Sequence, residues 1–164
     1  MDVLIIGDMH IPGKAGKIPE RFLDEIDKAD LVLCTGDFTN EETFQKIAGK
    51  AEKLHTVRGN RDFMELPSQD IVNAGGLKIG LIHGHQVERG NLEGLVEVAN
   101  NMNVKILVSG HTHKPFKTEK DNVLLLNPGT ATGADSGESK VKTKTCMKIK
   151  IEDGLLERIE IIRD

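Results

Sequence analysis

Five times within the first 113 residues a short apolar run breaks off at a glycine flanked by a carboxylate, a carboxamide or an imidazole: Gly7-Asp8-Met9-His10, Gly36-Asp37, Gly59-Asn60, His83-Gly84-His85 and Gly110-His111-Thr112-His113. The runs before them, Asp2 to Ile6, Leu31 to Thr35, Leu54 to Val57, Lys78 to Ile82 and Lys105 to Ser109, have strand length and β-branched composition. Amphipathic segments between them predict helices over Pro19 to Ile26, Glu41 to Lys50 and Leu92 to Asn101. Asn40 is placed to cap the second helix, with Glu41 and Glu42 where the helix dipole favours negative charge. Strands alternating with helices predict an α/β fold, and nothing in periodicity alone refines that class. In such folds the carboxyl ends of the strands share one edge, so the five motifs are expected to converge there. Asp8, Asp37, Asn60, His83 and His111 recur at intervals of 23 to 29 residues, as repeated strand-connection-strand units require.

Past Pro115 the pattern becomes a meander. It predicts strands over Phe116 to Glu119 and Val123 to Leu126 about a Lys120-Asp121-Asn122 turn, then two long strands around Glu152-Asp153-Gly154. Lysines at 140, 142, 144, 148 and 150 would share one face of the first long strand, a charged and solvated surface that resists edge pairing. Gly129 to Gly137, rich in Gly, Ala, Thr and Ser, is expected to be a mobile loop.

Composition narrows the ligand class. Six histidines stand against five Phe and no Trp or Tyr, so there is little for nucleobases to stack on. The formal net charge of −4 lacks the basic footprint of a phosphate-backbone binder. Nucleic acid is therefore not expected as a partner, except as a phosphodiester substrate. Cys34 and Cys146 lie far apart, which fits two free thiols in a reducing cytoplasm better than a disulfide or a zinc-thiolate site. No run approaches membrane-spanning length, and the first hexapeptide reads as a strand rather than a signal peptide. Gly7 to Lys14 is not a phosphate loop: five residues separate its glycines, and Ala15 stands where the motif needs Ser or Thr. The Gly-x-Gly-x-x-Gly dinucleotide fingerprint is also missing from this turn.

Four His, two Asp and one Asn at a common edge would form a mixed nitrogen and oxygen site, which suits manganese, iron, nickel or zinc better than calcium. Seven donors exceed the needs of one ion. Shared between two ions through a bridging carboxylate, they leave positions for a bridging hydroxide and for substrate oxygens.

In order and spacing, Gly7-Asp8-x-His10, Gly36-Asp37, Gly59-Asn60, His83 and Gly110-His111-x-His113 resemble the five-motif signature of the calcineurin-like metallophosphoesterases. The resemblance spans most of the chain and implies one metallophosphoesterase domain over residues 1–164, built as two packed β-sheets flanked by helices, an α/β/β/α sandwich. It also implies that Asp8, His10, Asp37 and His113 hold one divalent ion and that Asp37, Asn60, His83 and His111 hold a second, with Asp37 bridging. Two such ions against two carboxylates and one hydroxide leave the cleft net positive, which favours a small phosphate diester anion. The short length resembles the YfcE-type phosphodiesterases.

Arg61 departs from the pattern, since many members of the family carry His after the Asn. A guanidinium cannot act as a general acid, but its fork can hold phosphate oxygens. His85 is a further candidate, as a substitute acid or as a hydrogen-bonding neighbour, while His55 reads as an ordinary strand residue. Ile82 to Val87, Ser109 to Lys114 and Asn127 to Ala134 also resemble the phosphoesterase-fold subunit of the retromer sorting complex. That likeness raises the alternative of a non-catalytic protein-binding scaffold. The scaffold subunit is understood to lack ligands at the second and third motifs, which here read Asp37 and Asn60, so catalysis is the favoured expectation. A homo-oligomer is left open.

Overall fold

The first strand shows in miniature how the layers arise. In β1 (Asp2–Ile6) successive side chains point to opposite faces. Val3 and Ile5 enter one apolar cluster, while Leu4 and Ile6 enter another, so both faces are buried. A strand apolar on both sides needs cover on both sides, and the chain supplies helices on one and a second sheet on the other. The computed structural model describes residues 1–137 and 143–164.

After β1 come α1 (Glu20–Lys28), β2 (Leu31–Cys34), α2 (Glu41–Ala48), β3 (Leu54–Thr56), β4 (Gln69–Ala74), β5 (Leu77–Ile82), α3 (Leu92–Asn101), β6 (Ile106–Val108), β7 (Phe116–Lys120), β8 (Val123–Asn127), β9 (Thr145–Glu152) and β10 (Leu155–Arg163). They form two five-stranded mixed sheets with orders β10-β9-β1-β2-β3 and β4-β5-β6-β8-β7. β1, β2 and β3 run parallel, as do β5, β6 and β8, and the remaining neighbours are antiparallel.

Val3, Ile5, Leu31 and Leu33 of the first sheet meet Ile79, Leu81, Ile106 and Val108 of the second in the central core. Phe22, Leu23 and Ile26 of α1 and Ile47 of α2 cover the outer face of the first sheet. Leu95, Val96 and Ala99 of α3 cover the second sheet against Ile82, Leu107 and Leu125. Each large apolar side chain so buried contributes on the order of 1.5–3 kcal/mol. The architecture is the α/β/β/α sandwich.

Several details depart from the sequence expectation. Pro19 is the N-cap of α1 rather than its first helical residue, because its extended ψ of 139° lies outside the helix. Asn40 caps α2 as expected by accepting from Thr43 N at 2.8 Å, but the helix ends at Ala48. Strand β4 had no counterpart in the reading. It pairs with β5 through a two-residue Gly75-Gly76 loop, with φ +56° and +92° as a hairpin turn of type I′ requires. The connection between Asn60 and His83 is therefore a hairpin that changes sheets, not a helical crossover.

β9 begins at Thr145, so only Lys148 and Lys150 of the even-numbered series lie on the strand, on the face that also buries Cys146. Lys140 and Lys142 fall outside the described residues. Lys144, Lys148 and Lys150 pair with Asp164, Glu25 and Glu152 at 3.1, 3.7 and 2.6 Å. His55 is more than an ordinary strand residue: its Nδ1 lies 2.7 Å from Asp70 Oδ2, joining the edge strand of one sheet to that of the other.

Candidate metal centre

Asp8, His10, Asp37, His111 and His113 follow β1, β2 and β6 in the left-handed backbone region, with φ between +49° and +66°. L-residues resist this conformation by roughly 1–2 kcal/mol each, so the surroundings must impose it. Asp8 N donates to Gly36 O at 3.0 Å, and His10 N to Asp37 O at 3.0 Å. His111 N donates to Asp8 Oδ2 at 2.9 Å and Arg61 N to Asp37 Oδ1 at 2.8 Å, so each carboxylate orients a neighbouring motif. Two glycines make this closeness possible. A Cβ at Gly59 would stand 2.0 Å from Asp37 Oδ1, and one at Gly110 would stand 2.7 Å from Asp8 Oδ2.

Carbonyl oxygens can only accept, and this fixes two imidazole tautomers. His83 Nδ1 donates to Thr35 O at 2.7 Å and His113 Nδ1 to Ala134 O at 2.6 Å. In the neutral rings both Nε2 lone pairs then face inward. His83 Nε2 meets Asn60 Oδ1 at 3.1 Å and Asp37 Oδ2 at 3.5 Å, an encounter of acceptors that a cation between them would relieve. His10 Nε2 lies 3.1 Å from His113 Nε2 and 3.2 Å from Asp37 Oδ2. Asp8 Oδ1 is fully buried and accepts no hydrogen bond, although His113 Nε2 stands 3.3 Å away. Donor atoms of Asp8, His10 and His113, and of Asp8, Asp37 and His83, lie within 4.8 Å of one another in each group. An orphaned carboxylate oxygen ringed by imidazole lone pairs fits a divalent cation.

Electrostatics agree. Burial raises the Asp8 carboxyl, but His113 and the fields of His83 and His10 outweigh it and hold it below 3.8. Burial pushes His10 and His111 down to about 4, keeping both in the neutral form that ligates metals. Burial also lowers His113, yet its contact with Asp8 prevails and raises it, so the position attracts positive charge. Asp37 is raised, first by burial, with the charge of Asp8 adding and His83 opposing.

All seven expected ligands thus lie at one end of the sandwich, drawn from both sheets rather than from one sheet edge. Asn60 is exposed at the rim. His111 is half-buried, its ring 5.2 Å from that of His83, and stands outside the two tight groups. His85 is exposed with its ring 5.4 Å from His83, and its pKa is lowered by burial, His83 and Arg58. Arg61 is exposed beside Asp37.

Sequence reasoning missed Asp62, whose carboxylate accepts from Asp37 N at 2.8 Å, Thr39 N at 3.0 Å and Gly59 N at 2.9 Å. An aspartate reaching back three residues to the glycine of Gly59-Asn60-Arg61-Asp62 was a readable Asx signal. Within the Gly129–Gly137 stretch, expected to be a mobile loop, Thr130 to Ala134 is tied to the first motif, while Asp135 and Gly137 are exposed. Thr130 Oγ1 donates to Asp8 O at 2.8 Å, Thr132 Oγ1 to Met9 O at 2.7 Å, and Thr130, Ala131 and Ala134 are buried.

A two-sheet sandwich carrying such a cluster on its strand ends is the architecture of the metallophosphoesterase fold. Residues 1–154 match the calcineurin-like phosphoesterase superfamily domain, and the chain belongs to that family. It is similar to a probable metallophosphoesterase of Methanocaldococcus jannaschii, 36% identical over 152 residues that cover 92% of this chain and 76% of the relative. Among solved structures it is similar to Vps29 of Entamoeba histolytica complexed with zinc, at 34% identity and a TM-score of 0.87, covering 100% of this chain and 98% of that one. A predicted phosphoesterase from Streptococcus pneumoniae shares the fold, with a TM-score of 0.76 and 21% identity over 99% of this chain and 88% of that one. No helix among the described residues is long and apolar enough to cross a membrane.

Proposed function

We propose that this metallophosphoesterase hydrolyses small phosphodiesters at a centre of two divalent metal ions. The observation that carries the reading is the position of Asp37 Oδ2, 3.2 Å from His10 Nε2 and 3.5 Å from His83 Nε2, within reach of both halves of the cluster. Asp8, His10, Asp37 and His113 would hold one ion, and Asp37, Asn60, His83 and His111 the other. Manganese, nickel, iron and zinc all suit this donor set. When bound, such ions polarise phosphoryl oxygens and bring the pKa of a water toward neutrality.

The chain's own groups do the rest. Thr35 O and Ala134 O fix the His83 and His113 rings so that Nε2 faces the centre. Asp62 pins the two loops that carry Asp37 and Asn60 to one another. Two carboxylates against four positive charges leave a cleft that attracts a phosphate diester anion. Arg61 holds phosphate oxygens by its guanidinium and transfers no proton, so esters with good leaving groups react best. His85, exposed beside His83, would hydrogen-bond the ester.

The test is hydrolysis of bis(4-nitrophenyl) phosphate and 4-nitrophenyl phosphate with each of the four metals, comparing wild type with Asp37→Ala and Asn60→Ala. Loss of diester hydrolysis in both variants is expected. Full activity of Asp37→Ala would overturn the bridging role, and alkyl esters reacting as fast as aryl esters would overturn the role of Arg61. The whole-length likeness to Vps29 supports a second reading, a protein-binding scaffold of retromer-subunit type. Inactivity with every metal while two ions are bound would favour it.

A further inference from the structure

A cavity of about 330 Å³ adjoins the turns that carry the histidines of the fourth and fifth motifs. Gly84, Gly110 and Thr112 line it, and these residues adjoin or separate His83, His111 and His113 in the chain. Its apolar surface comes from Val87, Leu92, Leu95 and Phe116. That surface is preformed. Asn91 caps α3 by accepting from Gly94 N at 2.9 Å, and turns from Gly84 O to Val87 N and from Glu88 O to Asn91 N set the preceding segment. Arg89, Lys114 and Glu88 also stand in the wall among the described residues. Arg89 Nη2 donates to Ser136 O at 3.3 Å, which braces its guanidinium.

We propose that this cavity is a subsite for an aryl-sized apolar ester group of the substrate, with Lys114 favouring a further anionic substituent on that group. The inference rests on the phosphoesterase reading and deepens it: the cluster would take the phosphate and the adjoining cavity would take what is attached to it. The volume lies at the lower end of the range of small-molecule sites, enough for a substituted ring and too small for a macromolecular segment. An apolar wall gives an aryl ester contacts that bare phosphate and short alkyl esters cannot make.

The test is calorimetric titration of the zinc-loaded protein with methylphosphonate, phenylphosphonate and 4-carboxyphenylphosphonate, none of which can be hydrolysed at its carbon-phosphorus bond. Phenylphosphonate should bind at least about tenfold more tightly than methylphosphonate, since one fitted apolar group is worth about 10–200-fold. Leu92→Asp should bring the two to equal affinity while leaving methylphosphonate unchanged. Aspartate suits the first turn of a helix, and an unchanged far-UV CD spectrum and urea midpoint check that the variant keeps its fold. The carboxylate should add severalfold affinity that Lys114→Ala removes. Methyl resonances of Val87 and Leu95 should shift with the phenyl ligand only.

Equal binding of methyl and phenyl ligands, or a preference that survives Leu92→Asp, would overturn the subsite even if phosphodiesters are hydrolysed. Phenyl selectivity that is lost in Leu92→Asp would sustain it even if no ester turns over, and the hydrolase reading alone would fall.

Discussion

Asp62→Ala tests whether the site is held by its backbone or only by its ligands. The carboxylate accepts three N–H bonds, from Asp37, Thr39 and Gly59, at 2.8 to 3.0 Å. Bonds to a charged acceptor contribute about 1.5–3 kcal/mol each, but Asp62 is half-buried and water can reach part of this loop. Counting about 1 kcal/mol apiece gives about 3 kcal/mol of loop order. Part of that offsets the left-handed backbone of Asp37 and Thr39, at φ +58° and +69°, which would relax once released.

Because the three cores do not include Asp62, unfolding free energy in urea should fall by only about 1–2 kcal/mol. Zinc affinity by calorimetry should fall about 10–100-fold, as for other groups that orient ligands. Asp62→Asn keeps an oxygen for Asp37 and Gly59 and should retain most of both properties. Zinc affinity of Asp62→Ala within about twofold of wild type would refute the argument.

Two further outcomes follow from close contacts and burial. Gly110→Ala places a Cβ 2.5 Å from Thr35 Oγ1 and 2.7 Å from Asp8 Oδ2, so it should lower stability by about 1–3 kcal/mol and abolish the rise in Tm on adding zinc; an unchanged rise would contradict it. Cys34 and Cys146 are fully buried, and burial pushes both thiols up to about 12, so Ellman's reagent at pH 8 should find no thiol in the native protein and two after unfolding. The sign of the linked stability is fixed: the unfolded thiols lose protons near pH 9 while the folded ones keep them, so the urea midpoint should fall as pH rises from 9 toward 12. A midpoint that rises across this range would refute the burial argument.

The sequence made the strands legible where burial on both faces forces a continuous apolar run, as in β1 and β5, and α3 where an amphipathic stripe lies between caps. β4 was illegible because it is an edge strand of polar and apolar residues, Gln69–Ala74, although Gly75-Gly76 announced its hairpin. The candidate metal centre was readable because imidazoles and carboxylates declare their chemistry by type. Its supports were not: Thr35 and Ala134 act through main-chain oxygens, which any residue possesses. Thr130 and Thr132 act through hydroxyls whose partners lie 122 and 123 residues away. The sheet change between Asn60 and His83 also escaped, since intervals along the chain do not say which layer a strand joins.

The pairing of β1 bears on how the protein comes into being. Val3 lies beside Leu31 on one side and Ile149 on the other, and Met1 N donates to Ile151 O. During synthesis all seven candidate ligands have been joined to the chain by residue 113, yet the strand that delivers Asp8 and His10 is still open along one edge. It closes only when β9 arrives. The candidate metal centre is therefore expected to reach full affinity only after β9 has paired, and a nascent chain stalled before β9 presents the donors without the sheet that aims them.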